Sequence, residues 1–270
     1  MENKKVAIVT GAARGIGEAV ALKFAAGGYA LALVDIDAEG LTHLKIKLEA
    51  LRCDFLCIPG DLQEEYFINL IIAKTIDRWG RIDVLINNAA WRTLETMRSI
   101  SLKDWEKTLR ICLTAPAFLA KHAAAVMEGK GISGVIINIS SVMSQRAGGN
   151  SPAYITCKGG MESLTYELAV LYGPKGIRVI AVNPGNIETD LSSDYTDGAG
   201  NNISGRLGDW MNDNTPLQRK GTAEEIANVV CWLSTKEASF ITGTSIQADG
   251  GFFHNFNAYQ MKKLQFPKEF

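Results

Sequence analysis

Histidine and charge imbalance are both scarce in this chain. Its three histidines (His43, His122 and His254) are isolated, and its five cysteines are scattered over 270 residues. An odd, dispersed set of cysteines makes no disulfide framework, so reduced thiols and a cytoplasmic location are expected. Cys53 and Cys57 are close together, but no second pair or nearby histidine completes a ligand set, and no metal is expected. Lysine and arginine total 28 against 29 aspartates and glutamates, a net charge of −1. Such a balance offers no basic field to nucleic acid or an anionic membrane. No apolar run reaches spanning length without a charge, and Val6–Val9 is far too short for a span or a signal peptide. No Pro/Ser-rich linker divides residues 1–270, so a single domain is expected.

Apolar residues make up 47% of the chain, enough to fill a core, and they alternate between two patterns. Short strand-like runs lie at Val6–Thr10, Ala30–Val34, Phe55–Ile58, Val84–Ile86, Val135–Ile139, Val179–Val182 and Thr244–Gln247. Between them the apolar spacing is helical, as in Leu41, Leu44, Leu48 and Leu51. Repeated strand–helix alternation predicts an α/β fold: a doubly wound parallel sheet of seven strands with helices on both faces. One segment breaks the rhythm. Residues 190–214 are rich in Gly, Asn, Asp and Ser yet carry Leu207, Trp210 and Met211 near helical spacing, which reads as a substrate lid. An aromatic-rich tail follows at about 252–270.

The first strand runs into Thr10-Gly11-Ala12-Ala13-Arg14-Gly15-Ile16-Gly17 and then a helix. Glycines there let the backbone approach a pyrophosphate, and the helix N-terminus offers amide donors and a positive dipole end. The second strand ends at Asp35, where a carboxylate accepts hydrogen bonds from ribose hydroxyls and repels a 2′-phosphate. Arg14 pulls toward that phosphate but is able to turn to solvent, so NAD is preferred over NADP. Asp37 reads as surface or a helix cap.

The glycine spacing resembles that of the short-chain dehydrogenase/reductase family, as do four later motifs. These are Asn87-Asn88-Ala89-Ala90; Ser140-Ser141 with Tyr154-Ile155-Thr156-Cys157-Lys158; Asn183-Pro184-Gly185-Asn186-Ile187-Glu188-Thr189; and Ala248-Asp249-Gly250-Gly251. Each follows a strand, and together they cover residues 5 to about 252. The resemblance implies a Rossmann-like sheet and catalysis by Ser141, Tyr154 and Lys158. It also implies a cofactor site built from Gly11, Arg14, Gly15, Ile16 and Gly17 near the pyrophosphate, and Asp61 and Leu62 by the adenine. Asn88 and Ala89 would meet the adenine ribose, and Pro184, Gly185, Ile187 and Thr189 would surround the nicotinamide carboxamide. Tyr154 and Lys158 would hold its ribose. Members are commonly homotetramers or homodimers, and the tail is placed to reach a neighbour. Two positions depart from the family: Ala90 replaces a glycine, and Cys112, seven residues after Trp105, replaces an asparagine that holds a water beside the lysine. Cysteine behaves as a small hydrophobe, so another group or a backbone carbonyl is expected to hold that water.

A phenol ionises near ~10, and an adjacent ammonium and a nicotinamide cation would lower that value, letting Tyr154 act as the base. The chain then interconverts a secondary alcohol and its carbonyl. Trp91, Gln145, Arg146, Asn186 and Trp210 are the candidate substrate residues, a polar and aromatic mixture suited to a sugar or polyol. The stretch from Ser140 to Ile187 also resembles the family's sugar dehydrogenases. The alternatives are a reductase of 3-oxoacyl or steroid-like ketones, and a non-catalytic NAD-binding regulatory protein.

Overall fold

Strand β1, Val6–Thr10, is apolar and buried along its whole length, as a strand covered on both faces must be. The structure, a computed structural model, describes residues 4–270. From β1 the chain continues through α1 (Gly15–Ala26), β2 (Ala30–Asp35), α2 (Ala38–Ala50), β3 (Phe55–Pro59), α3 (Glu65–Trp79) and β4 (Val84–Asn87). Helices α4 (Leu102–Leu109) and α5 (Ala115–Lys130) are joined by a π-helical turn at Arg110–Thr114. Then come β5 (Val135–Ile139), α6 (Pro152–Tyr172), β6 (Arg178–Pro184), α7 (Ser204–Asp213), α8 (Ala223–Leu233), β7 (Thr244–Ala248) and α9 (Tyr259–Gln265).

The strands form one parallel sheet in the order β3-β2-β1-β4-β5-β6-β7. This is the doubly wound sheet that the alternation predicts. Every expected strand is present, and β6 is the most extended, because Asn183 and Pro184 still pair with Gln247 and Ala248. The order reverses between β1 and β4, so the loops after these strands diverge and open a crevice at their C-terminal ends.

Two apolar layers flank the sheet. On one face Phe24, Leu44, Leu48 and Val230 of α1, α2 and α8 pack with Val9 and Leu33. On the other, Ile71, Leu119, Met127 and Leu168 of α3, α5 and α6 pack with Ile8 and Leu85. Each such side chain contributes roughly 1.5–3 kcal/mol through burial. Helix ends are set locally: Asp37 caps α2 by accepting from the Gly40 amide, and Gly80 ends α3 with a φ of 69°. The continuous helix Leu102–Lys130 is long and apolar enough to cross a membrane by length and composition. Its Leu119, Ala120, Ala123 and Met127 are spent under the sheet, which makes it a core helix.

The 190–214 segment contains a short turn at Asp190–Ser192, an isolated bridge between Thr196 and Asn202, and α7. The tail does not extend outward. The Gln260 amide donates to the Asp213 carboxylate at 3.0 Å, and the Asn255 side-chain amide donates to the Asn214 carbonyl at 2.8 Å. These two contacts hold the start of the tail against residues 213–214 of its own chain.

Candidate active site

Helix α6 starts on Pro152, where a missing N–H costs nothing, and carries Tyr154 and Lys158 one turn apart on a shared face. Both are buried. The Lys158 Nζ donates to the Ile139 carbonyl at 2.6 Å and lies 5.3 Å from the centre of the Tyr154 ring. Ser140 Oγ donates to the Lys158 carbonyl, tying the end of β5 to the helix. Ser141 accepts from the Met143 amide at 3.1 Å, which fixes its hydroxyl at the head of the turn Val142–Ser144.

The expected lowering of the Tyr154 phenol is not what the protein's own groups produce. Burial pushes it well above the ordinary range, while Arg92 and the nearby Ser141 hydroxyl pull the other way without prevailing. Burial likewise pulls Lys158 down, against the opposing influence of Cys112 and Cys157. Desolvation disfavours the charged form of either group.

In the glycine turn, Gly11 and Gly15 have φ of 62° and 57°, left-handed values that favour glycine. A β-carbon at Gly17 would lie 1.9 Å from the Gly11 carbonyl oxygen. The Asn88 amide donates to the Thr10 and Gly11 carbonyls, both at 3.0 Å, and pins the turn to the end of β4. Helix α1 has no side-chain cap at its start, so its first amides suit an anionic group. The Asp35 carboxylate accepts from the amides of Ala13 and Asp37 at 2.9 and 3.0 Å. Arg14 faces Asp190 at 3.9 Å, with both side chains exposed, rather than standing alone in solvent. Asp61 accepts from the Gln63 backbone and side chain, and Leu62 beside it is buried.

A cavity of about 170 Å³ lies over Tyr154, Lys158 and Ser141. Ile16, Asn88, Pro184, Gly185, Ile187 and Thr189 line it from the strand ends. Of the five substrate residues named above, Asn186 lines it, and its buried amide nitrogen has no hydrogen-bond partner among the described residues. The other four do not line this cavity. The Trp91 ring lies beneath the Lys107 ammonium, 4.1 Å from it. Gln145 donates to Glu162 at 2.8 Å. Arg146 donates to the Phe252 and Phe253 carbonyls and lies over the Phe252 ring. Trp210 is half exposed with its edge against Phe252. In each case the loop or helix turns the side chain toward a structural partner.

The lining instead draws on residues without a motif. Arg92 enters after β4, and Tyr195, Leu207 and Met211 enter from the 190–214 segment. The Arg92 guanidinium donates to Asp194 at 2.7 Å and lies 5.0 Å from the centre of the Tyr195 ring. Behind the cavity, the Glu162 carboxyl collects hydrogen bonds from Ser144, Gln145 and Asn183. Its position four residues after Lys158 is a signal for the same helix face that sequence reasoning did not use. Cys112 also differs from expectation. Its thiol accepts from the Trp91 amide and donates to the Trp91 carbonyl, both at 3.3 Å, so it acts as a clamp rather than a bare hydrophobe.

Residues 11–253 match the family model described as enoyl-(acyl carrier protein) reductase. A short-chain dehydrogenase/reductase of Hericium erinaceus is 32% identical over 93% of this chain and 98% of its own. Glucose 1-dehydrogenase 2 of Bacillus subtilis is 31% identical over 92% of this chain and 94% of its own. The crystal structure of levodione reductase superposes with a TM-score of 0.89 at 30% identity, covering 93% of this chain and 98% of that one.

Proposed function

Because this chain belongs to the short-chain dehydrogenase/reductase family and so acts on CH–OH donors, we propose that it interconverts a secondary alcohol of the sugar or polyol class and its carbonyl with NAD(H). The observation that carries the reading is the buried Tyr154–Lys158 pair beside Ser141 at the floor of one cavity. Tyr154 takes the proton from the alcohol oxygen, or returns it in the reductive direction. The Ser141 hydroxyl orients that oxygen. The lid residues Leu207 and Met211 exclude water from one side of the cavity.

Family members bind NAD or NADP, and the residues present fit a dinucleotide. The glycine turn is a cradle that a β-carbon would fill, and α1 presents uncapped amides beside it. When bound, the nicotinamide supplies the hydride acceptor or donor. Gly11, Arg14, Gly15, Ile16 and Gly17 would hold the pyrophosphate side, Asp35 the adenosine ribose, and Asp61, Leu62, Asn88 and Ala89 the adenosine end. Pro184, Gly185, Ile187 and Thr189 would hold the carboxamide, and Tyr154 and Lys158 the second ribose. Support for NAD comes from Asp35, whose carboxylate is anchored by two backbone amides and has no reason to swing away from a 2′-phosphate. Five free thiols favour the cytoplasm, and the exposed apolar side chains Leu102, Phe118 and Val170 favour a homotetramer or homodimer.

The test mixes the enzyme with NAD⁺ and a panel of sugars and polyols and follows absorbance of the reduced cofactor. Tyr154→Phe is expected to cost about 10²–10⁴-fold in turnover while NADH binding persists. Full turnover by that variant would overturn the role of Tyr154, and a strong preference for NADPH with a ketone panel would favour the ketone-reductase reading instead.

A further inference from the structure

We infer that the substrate of this site carries a carboxylate, which replaces Asp194 on the guanidinium of Arg92. The inference deepens the proposed alcohol–carbonyl chemistry and rests on it for the position of the reacting carbon.

Among the described residues, the cavity lining contains two basic side chains, Arg92 and Lys158, and neither an aspartate nor a glutamate. Lys158 points down to the Ile139 carbonyl on the floor. Arg92 therefore sets the charge of the side facing the lid. Its side chain is 4% exposed, whereas that of its partner Asp194 is 49% exposed. The two members of this pair differ in what they can do apart. Asp194 regains water when it leaves, whereas the guanidinium is sheltered from water, so an anion that takes the place of Asp194 meets a donor already desolvated. An incoming carboxylate offers the same paired oxygens to the same planar donors.

The surroundings agree. Arg92 and Tyr154 line the same cavity, so an anion held on the guanidinium shares that space with the proton-moving group. The buried Asn186 amide nitrogen, without a hydrogen-bond partner among the described residues, adds a donor for an acceptor oxygen. Val142, Met143, Leu207 and Met211 supply apolar wall between these polar points. This distribution of donors favours a hydroxy acid over a neutral alcohol, and a sugar acid over the sugar.

The test is a titration of the enzyme–NADH complex with cyclohexanecarboxylate and, separately, with cyclohexanecarboxamide, by calorimetry. The acid should bind at least about 30-fold more tightly than the amide, as loss of a buried charge partner implies. Arg92→Gln should abolish that difference, and Arg92→Lys should keep part of it. Asp194→Asn should tighten acid binding about threefold, because it removes a competing half-exposed anion. Equal binding of acid and amide, or parallel weakening by Arg92→Gln and Asp194→Asn, overturns the inference and leaves Arg92 as an anchor of the lid. A parallel assay with NAD⁺ compares hydroxycarboxylates with their amides. Turnover of neutral alcohols without any preference for acids sinks the carboxylate and spares the proposed function. Tight acid binding with no turnover of any alcohol does the reverse.

Discussion

Cys112 stands where the family places an asparagine, and its surroundings explain why a thiol serves there. It sits in a π-helical turn, where the widened backbone brings its Sγ to the Trp91 backbone, and it both accepts and donates across that contact. Trp91 precedes Arg92, so the thiol fixes the stem of the loop that brings a cation into the cavity. Cys112→Ala should lower stability by about 1–2 kcal/mol, read as a shift in urea midpoint, since two backbone groups lose a partner and a small void opens. An unchanged midpoint would mean the contact is incidental. The sequence made the position conspicuous but not its role, because hydropathy assigns a cysteine to the core without saying what its sulfur touches. Arg92 was hidden for a related reason. It follows a motif, yet no periodicity governs a loop, and side-chain direction there depends on long-range contacts with Asp194 and Tyr195.

Helix α6 is the element that organises the site, because one face presents Tyr154, Lys158 and Glu162 at four-residue intervals. Glu162→Ala would strand Ser144, Gln145 and Asn183, and is expected to cost about 3 kcal/mol in urea unfolding. The strands, by contrast, were readable to within about two residues, since buried parallel strands are short apolar runs between turn signals. The direction of Gln145 and Arg146 was not legible, because the turn after Ser141 rotates them onto α6 and onto the tail. Another element-scale contact sets an acid limit. Asp54, just before β3, would be raised by its burial alone, but bonds from Arg78 and Trp79 at the end of α3 bring it below its ordinary value. A carboxyl lowered in the folded state stabilises fully above its unfolded pKa and loses that contribution as pH falls through the folded value. Stability should therefore decline below about pH 4, and Asp54→Asn should flatten that part of the urea-midpoint profile. A decline of equal steepness in the variant would assign acid sensitivity elsewhere.

At the scale of the whole molecule, the sheet order gathers the groups of the cavity from far apart in the chain. The Gly11 turn, the Asn88 loop, Ser141 and the Pro184–Thr189 segment all emerge at one edge only when β1, β4, β5 and β6 lie side by side. A buried network reinforces this joining: Asn87 donates to Asn138, and Asn138 to Thr165 of α6. The motif order along the sequence was enough to foresee this edge, because parallel strands with right-handed crossovers leave few other arrangements.

The docking of β1 beside β4 also has a kinetic meaning. The Val6 amide bonds to Asp83 across 77 residues, so α1, β2, α2, β3 and α3 must be accommodated before the two central strands meet. Closure of so long a loop is slow to be repaid, whereas each helix forms quickly from local contacts. After dilution from urea, the far-ultraviolet signal of the helices should return first, and the ability to quench and shift NADH fluorescence should lag behind it. Simultaneous recovery would mean that the central strands pair as early as the helices form. Refolding yield is then governed by a single late event at the middle of the sheet, during which the apolar edges of β1 and β4 are open to other chains.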